Sequence, residues 1–307
     1  MSRLVRHRLR VTLMSTLALT LAMVSVPGAG LVATAAAPRC KVTNATRPAH
    51  PSFGTLQEAV DAALAHDVLQ VRGVCLGATI IAKDLTVQGI TTAATGTPAL
   101  DGAKLVRPLE TAAGTTVAIS GLIIRKGVAL GLSYPDGAGG AILVGGSLTL
   151  TNVEIVNSHA QTNGGSGAIE LLPTGVLVMA GTTRLHDSHG AYGAIEVYGT
   201  LIVRDHARID HNEGLLYGGA IYADGVVTLR DHARIDHNVA PVGGGVYLGG
   251  GSLTLKGAAL IDRNTATDLG GGSGGGIYDE RGTLIGAACG VNVKANTPDQ
   301  ITPACPL

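Results

Sequence analysis

The amino-acid sequence predicts an all-β protein folded as a single-stranded parallel β-helix, a solenoid whose short strands stack coil upon coil. Internal repeats of 25 to 31 residues are the first observation behind this prediction. The second is glycine, at 45 of 307 residues, roughly twice the average usage. The third is the absence of Trp and the presence of a single Phe, which is typical of a narrow interior. With 46% hydrophobic and 14% charged residues, a disordered chain is excluded.

Two apolar motifs recur once in each repeat. The first joins a small residue to a β-branched one, at Ala141-Ile142, Ala168-Ile169, Ala194-Ile195, Ala220-Ile221, Gly245-Val246 and Gly276-Ile277. The second is a largely aliphatic triplet, at Leu148–Leu150, Val176–Val178, Leu201–Val203, Val227–Leu229, Leu253–Leu255 and Thr283–Ile285. The outer positions of most triplets are aliphatic, as expected for strands with one buried face.

A third element, usually asparagine, ends each repeat. It is found at Asn157, Asn212, Asn238, Asn264 and Asn296, with Ser188 in one repeat. We expect these side chains to stack as a ladder in a turn. Three short strands and their turns use about 25 residues, so residues 68–296 make about nine coils. The repeats are clearest over 139–296.

The first 37 residues are typical of a secretory signal peptide. Four arginines precede an apolar run over 11–26, and small residues follow at Ala33-Thr34-Ala35. Residues 38–307 then form the β-helix domain, with 18 basic and 22 acidic residues and a net charge of −4. This balance argues against nucleic acid as a partner. No later apolar run reaches about 18 residues, so we expect a secreted, extracellular protein that is not inserted in a membrane.

The four cysteines fit an oxidising compartment. They allow three pairings, of which we favour the local bridges Cys40–Cys75 and Cys289–Cys305. Each bridge would hold one end of the chain, and the closed tail at 289–307 would cover the last coil.

A single helix is predicted, at about 55–66. The segment Thr55-Leu56-Gln57-Glu58 has the pattern of a capping box, and apolar residues follow it at helical spacing. Because the open strand edge of a solenoid invites aggregation, we expect this helix to cover the first coil.

Several segments resemble known families. Phe53–Ala63, followed by Leu69-Gln70-Val71, resembles the opening of pectin-lyase-like right-handed β-helices, and Ile119–Gly127 is similar to a frequent coil of that superfamily. Gly218–Tyr222, in a repeat that ends at Asn238, resembles the repeats of polymorphic outer membrane proteins. Together the resemblances cover nearly all of residues 40–307 and imply a right-handed solenoid. They do not imply one activity, because the superfamily contains lyases, hydrolases and adhesins.

The enzyme motifs of that superfamily are incomplete. The Asp-Asp, Gly-His-Gly and Arg-x-Lys motifs of polygalacturonases are absent. Ile209–His211 and Ile235–His237 match the Ile-Asp-His of pectate lyases, but an arginine replaces the preceding Trp and the second basic motif is missing. The whole block 204–212 recurs unchanged at 230–238, which is unusual for an active site. We therefore predict no catalytic residue and lean towards a protein that is not an enzyme.

Two columns of outward residues are the candidate ligand-binding sites. The first is charged and consists of three adjacent stacks: Arg184, Arg208 and Arg234; then His186, Asp210, Asp236 and Asp262; then Asp187, His211, His237 and Arg263. Its candidate ligand-binding residues are Arg208, Asp210, His211, Arg234, Asp236 and His237. The second column contains Glu170, Glu196, Tyr222, Tyr247 and Tyr278. The competing interpretations are a solvated face of ion pairs and an aromatic ladder that stabilises the sheet. Paired histidines on adjacent strands suggest zinc, but we expect neither a metal nor a cofactor. A third, apolar column is predicted to point outward at Thr149, Leu177, Ile202, Thr228, Thr254 and Leu284.

The predicted function is non-enzymatic binding at the cell exterior, with a polysaccharide or cell-surface glycan as the favoured ligand. Tyrosines beside carboxylates suit sugar rings, which offer apolar faces and hydroxyl groups. A polysaccharide lyase or glycoside hydrolase, and a purely structural module, remain the alternatives.

Overall fold

The computed structural model describes residues 39–131, 137–160, 165–268 and 273–303. The signal-like segment 1–37 and Cys305 lie outside the described residues, and so does the predicted Cys289–Cys305 bridge. The described chain winds as a parallel β-helix of nine coils, each of which gives one strand to each of three long sheets. The predicted fold class and number of coils are confirmed.

Sheet 1 has eleven strands, of which the first two in spatial order run antiparallel to their neighbours and the other nine are parallel. In spatial order its strands are Ser52–Phe53, Lys41–Asn44, Val68–Arg72, Leu85–Gly89, Thr116–Ser120, Ser147–Thr151, Val176–Ala180, Thr200–Val203, Val226–Leu229, Ser252–Leu255 and Thr283–Ile285.

Sheets 2 and 3 have nine parallel strands each. Sheet 2 consists of Val74–Leu76, Ala99–Asp101, Ile123–Arg125, Glu154–Val156, Arg184–His186, Arg208–Asp210, Arg234–Asp236, Leu260–Asp262 and Val293–Lys294. Sheet 3 consists of Ile80–Ile81, Leu109–Thr111, Ile142–Val144, Ile169–Leu171, Ile195–Val197, Ile221–Ala223, Val246–Leu248, Ile277–Asp279 and Ile301–Thr302.

A fourth, short sheet lies between sheets 2 and 3 along the chain, and we call it the corner sheet. Its six parallel strands are Val128–Ala129, His159–Ala160, His189–Gly190, Glu213–Gly214, Val239–Ala240 and Thr265–Ala266. The sequence did not predict it, because two-residue strands have no periodicity to detect.

The core is a set of aliphatic stacks inside the coils. Ile142, Ile169, Ile195 and Ile221 pair in succession along sheet 3, and all are fully buried. Equivalent residues lie about 4.8 Å apart in a sheet, so each stack excludes water continuously. The stacks are built mainly from aliphatic side chains, in keeping with a sequence that has no Trp and a single Phe.

The helix covers the start of the solenoid, and it is shorter than the predicted 55–66. It spans Leu56–Ala62, and Thr55 and Glu58 form the capping box. Leu56, Ala59 and Val60 are buried in the same core as the first coil. The helix ends early because the backbone of Ala63 is extended. Nζ of Lys83 donates hydrogen bonds to the carbonyl oxygens of Val60 and Ala63, at 3.0 and 2.9 Å, and so satisfies the end of the helix.

The Cys40–Cys75 disulfide joins the segment before the first strand to sheet 2, as predicted. Cys75 is buried and Cys40 packs against the core. The bridge closes a loop with a sequence separation of 35, which contains both the helix and the antiparallel strands that cover the first coil.

An asparagine ladder runs along the turn between sheet 2 and the corner sheet. The side-chain amide of Asn212 donates to Oδ1 of Asn238, and that of Asn238 donates to Oδ1 of Asn264, each at 3.0 Å. Ser188 occupies the ladder one coil earlier, where its backbone N–H donates to Asn212 Oδ1. The prediction for Asn157 was wrong: Ser158 is in the ladder, and Asn157 precedes it with a φ of 53°.

The third outward column was predicted with two errors of register. Thr149 pairs with Val178, and Thr254 pairs with Ile285. Leu177 is fully buried in the interior stack, and Leu284 pairs with the buried Leu253. A shift of one residue exchanges the two faces of a strand. Among the described residues, no helix has the length and apolarity needed to cross a membrane.

Candidate functional site

The duplicated block forms a ladder of ion pairs on sheet 2. Arg184, Arg208 and Arg234 pair in succession, and so do His186, Asp210, Asp236 and Asp262 two positions later. These predicted columns are therefore present in the structure. Each arginine reaches forward to the aspartate of the next coil, with Nε of Arg184 2.7 Å from Oδ1 of Asp210 and Nη2 2.5 Å from Oδ2.

The same bidentate ion pair joins Arg208 to Asp236 and Arg234 to Asp262. This geometry suits the planar guanidinium, and it offsets the repulsion between like charges that are stacked one coil apart. The aspartates are buried, whereas the arginines remain about one-third exposed. The face is thus not a solvated array of ion pairs, because its carboxylates are withdrawn from water.

His211 and His237 continue the network outward. Nδ1 of each ring lies 2.6 Å from Oδ2 of the preceding aspartate, Asp210 or Asp236. Both histidines have φ near 55°, in the left-handed region where His, Asn and Asp are enriched. Burial raises the pKa of Asp210, but the hydrogen bonds from Arg184 and His211 outweigh it, and the pKa falls below its usual value.

The paired histidines do not form a metal centre. The rings of His211 and His237 are parallel within 4° at a centroid distance of 5.0 Å, so their nitrogens do not converge on one point as zinc ligands must. In the described part of the chain, no group of three or more His, Cys, Asp or Glu residues is placed to hold a metal ion.

The second predicted column lies on sheet 3, where Glu170, Glu196, Tyr222, Tyr247 and Tyr278 pair in succession. The expectation that it faces water was wrong for Glu170, Glu196 and Tyr247, which are 0%, 1% and 7% exposed. Ser166 donates to Oε2 of Glu170 at 3.0 Å, and the Tyr198 hydroxyl donates to Oε1 of Glu196 at 2.7 Å. Alternation predicts the face of a side chain but not whether a neighbouring turn covers it.

Glu170 and Glu196 form a buried carboxyl pair. Burial is the main reason why the pKa of Glu196 rises, and its hydrogen bonds to Tyr198 and Glu170 oppose that rise. The two side chains lie on adjacent strands, one coil apart, and both are buried. The environment of Glu196 therefore favours the protonated form of its carboxyl more than water does.

The tyrosines form a larger cluster than the sequence predicted, and we call it the tyrosine patch. Tyr222 stacks on Tyr247, and Tyr247 stacks on Tyr278, each with ring centroids 5.3 Å apart. Sequence reasoning missed two members: Tyr192 lies 5.0 Å from Tyr222, and Tyr217 lies 4.6 Å from Tyr247. Their spacing from 192 to 217 equals one coil, and that signal was available.

Two tyrosine hydroxyls in the patch are held in the protonated form. Burial and the carboxylate of Asp224 raise the pKa of Tyr222. Burial and the hydrogen bond to Glu280, at 2.8 Å from the Tyr247 hydroxyl, raise the pKa of Tyr247. The patch therefore presents neutral phenols next to carboxylates, so it offers both donors and acceptors of hydrogen bonds.

The outermost ring of the patch is Tyr217. It is 37% exposed, follows the exposed Leu215 and Leu216, and is tilted by 46° against Tyr247. Within the ladder Tyr247 is stacked between Tyr222 and Tyr278. Among the five rings of the patch, Tyr217 is therefore more accessible to a ligand than the sequence-predicted Tyr222 and Tyr247.

Comparisons with family models, with curated proteins and with solved structures found no match to this chain.

Proposed function

We propose that the protein is a secreted, non-enzymatic binding protein whose ligand is a glycan and whose binding surface is the tyrosine patch. The observation behind the proposal is the convergence of Tyr192, Tyr217, Tyr222, Tyr247 and Tyr278, from successive coils, on one surface with Asp224 and Glu280. Aromatic faces suit the apolar C–H surface of a sugar, and carboxylates accept hydrogen bonds from sugar hydroxyls.

The charge of the patch favours a neutral sugar. Its flanking ionisable groups include the carboxylates of Asp224 and Glu280, one of which pairs with Arg281 at 2.8 Å. An acidic sugar would be repelled by these groups. Neutral glycans without uronic acids or sulfates are therefore the favoured class at this surface.

Secretion belongs to the same proposal. It is supported by the signal-like pattern of residues 1–37 and by the Cys40–Cys75 disulfide, since disulfides persist in oxidising compartments.

A glycan array probed with the purified 38–307 chain tests the proposal. We expect binding to neutral glycans that is lost in Tyr217→Ala and largely kept in Tyr217→Phe, because the ring supplies the contact. Leu76→Ala is a matched control, since Leu76 is 64% exposed and belongs to sheet 2 rather than to the patch. Absence of any bound glycan, or binding unchanged in Tyr217→Ala, would contradict the proposal and favour a structural module.

One observation favours an enzyme as the second candidate. Two carboxylates on adjacent strands, Glu170 and Glu196, are the residue types that glycoside hydrolysis requires. They are fully buried, however, so a substrate could not reach them without movement of the covering turns. Incubation with pectins and with neutral polysaccharides, followed by measurement of reducing ends and unsaturated products, tests this candidate. An activity that disappears in a folded Glu196→Gln variant would establish it.

A further inference from the structure

A cationic depression lies on another face of the solenoid, where sheet 2 turns into the corner sheet. Its volume is about 340 Å³, and it is lined by Lys104, Lys126, Asn157, His159, Asp187 and His189. These residues belong to adjacent coils: Val128 pairs with His159, and His159 pairs with His189. The depression is at the lower end of the size range for small-molecule sites.

The backbone brings four nitrogen-bearing side chains to this corner. The N–H of Lys104 donates to the carbonyl of Lys126 at 2.8 Å, so that the two lysines leave the chain side by side. Lys104 and Lys126 both have φ between 52° and 61°, which is uncommon for lysine. The rings of His159 and His189 stack within 3° at 5.1 Å.

The carboxylates near the depression neutralise it only in part. Asp101 Oδ2 is 3.6 Å from Nζ of Lys126, beyond hydrogen-bonding distance, and is engaged by Nε of Arg125 at 2.7 Å. Asp187 lines the depression and is 2.7 Å from Nδ1 of His186.

Glu213, on the next strand of the corner sheet, pairs with His189 and is exposed. Two ammonium groups and two imidazoles thus face one lining carboxylate, that of Asp187.

The positive charge of this cluster affects the pKa of His159. Burial lowers the pKa of its imidazole, and the positive charges of His189 and Lys104 lower it further. The same field that disfavours a proton on His159 favours an anion next to it.

We propose that this depression is a binding site for a small ligand bearing an oxyanion, either a carboxylate or a sulfate, held by Lys104 and Lys126 and by hydrogen bonds from His159 and His189. It is separate from the tyrosine patch and shares no residue with it. It is proposed to bind anionic ligands, whereas the patch is proposed to bind neutral ones. The failure of one proposal therefore leaves the other intact.

Calorimetric titration of the 38–307 chain with matched sugars tests the site. Galacturonate is compared with galactose, and N-acetylglucosamine 6-sulfate with N-acetylglucosamine; inorganic sulfate and phosphate identify a site that needs no sugar. We expect the acidic member of at least one pair, or an inorganic oxyanion, to bind. Any binding of the neutral sugars belongs to the tyrosine patch and should be unaffected by substitutions at the depression. Lys104→Gln and Lys126→Gln should each weaken the binding of the anion by about tenfold.

Lys256→Gln is the control, because it removes the same charge from an exposed lysine in a turn after sheet 1. No binding of any anion, anion binding that is unchanged in Lys104→Gln and Lys126→Gln, or an equal loss in Lys256→Gln would overturn the proposal.

The pH dependence supplies a second readout. The other charged side chains at this corner are those of Lys104, Lys126, Asp101, Asp187 and Glu213. Binding should strengthen as the pH falls below 6.5 through the lowered pKa of His159, because a bound anion favours the protonated form of this imidazole. His186, His189 and His211 also lie near the depression, so His159→Asn identifies the residue responsible and should flatten the profile. A profile unchanged in His159→Asn would contradict the assignment of this imidazole to the site.

Discussion

The guanidinium of Arg184 lies across the carboxylate of Asp210 on the next coil, with Nε 2.7 Å from Oδ1 and Nη2 2.5 Å from Oδ2. Asp210 also accepts from His211 and has no exposed surface. The contact joins one coil to the next through side chains, in addition to the backbone hydrogen bonds of sheet 2. Because it recurs in the following coils, it stabilises the stack at regular intervals.

Asp210→Ala should destabilise the fold. The substitution leaves Arg184 and His211 without their acceptor, and losing charge-assisted hydrogen bonds at a buried position costs about 2 to 3 kcal/mol. The free energy of unfolding in urea measures this loss. Glu213→Gln, at an exposed position of the corner sheet, should change the stability by less than about 0.5 kcal/mol. Equal stability of the two variants would show that the ladder contributes nothing.

Glu196→Gln should change the pH dependence of stability. The folded state raises the pKa of Glu196 above its ordinary value of 4.5. Between the pKa of the unfolded state and that of the folded state, the folded protein therefore binds more protons than the unfolded one. The stabilisation from this group is complete below pH 4.5 and is lost as the pH rises through the pKa of the folded state. The amide has no proton to lose and removes that decline.

Unfolding free energies measured from pH 4 to pH 8 test this expectation. The curve for Glu196→Gln should fall less steeply than the wild-type curve, whereas the curve for Glu213→Gln should follow the wild type. Parallel wild-type and Glu196→Gln curves would mean that the carboxyl pair does not hold an extra proton.

Asn238 gives a graded test of the asparagine ladder. Its amide donates to the carbonyls of Ile209 and Asp236, and its Oδ1 accepts from Asn212. Asn238→Ala leaves these buried groups unpaired and should cost about 3 kcal/mol. Asn238→Ser should cost less, because Ser188 occupies the equivalent position and accepts from the N–H of Ser158. Thermal unfolding of both variants measures the order, and a serine variant no more stable than the alanine variant would contradict it.

The architecture was predictable because the same residue types recur in the sequence once in each coil. One interior stack per sheet requires an aliphatic residue at each coil, so the periodicity of Ile142, Ile169, Ile195 and Ile221 specifies both the strand and its register. The asparagine ladder was predictable for the same reason, except at Asn157. There, Asn also suits the left-handed φ of the preceding position, and the residue type alone does not distinguish the two positions.

The candidate sites were less predictable because they depend on what covers each outward column. The pairing of Glu170 with Glu196 follows from the repeat, but their burial depends on Ser166 and on Tyr198, which belong to turns of irregular length. The cationic depression was unpredictable for the same reason, because Lys104 lies in a turn that has no counterpart in the other repeats. The geometry of a turn depends on its backbone dihedral angles, and the periodicity of the sequence does not predict these angles.

Gly219→Ala should disrupt the close approach of neighbouring turns. A Cβ on Gly219 would lie 2.1 Å from the carbonyl oxygen of Gly244, one coil later, and 2.7 Å from the backbone nitrogen of Val239. Both contacts are to backbone, so relief requires the coils to separate and breaks hydrogen bonds between them. We expect a loss of about 3 kcal/mol, measured by urea unfolding. Gly250→Ala is the control, because its Cβ would meet only Oδ1 of Asp224 at 3.7 Å. If the two variants were equally stable, the paired glycines of the repeat would serve the turn conformation rather than the stacking distance.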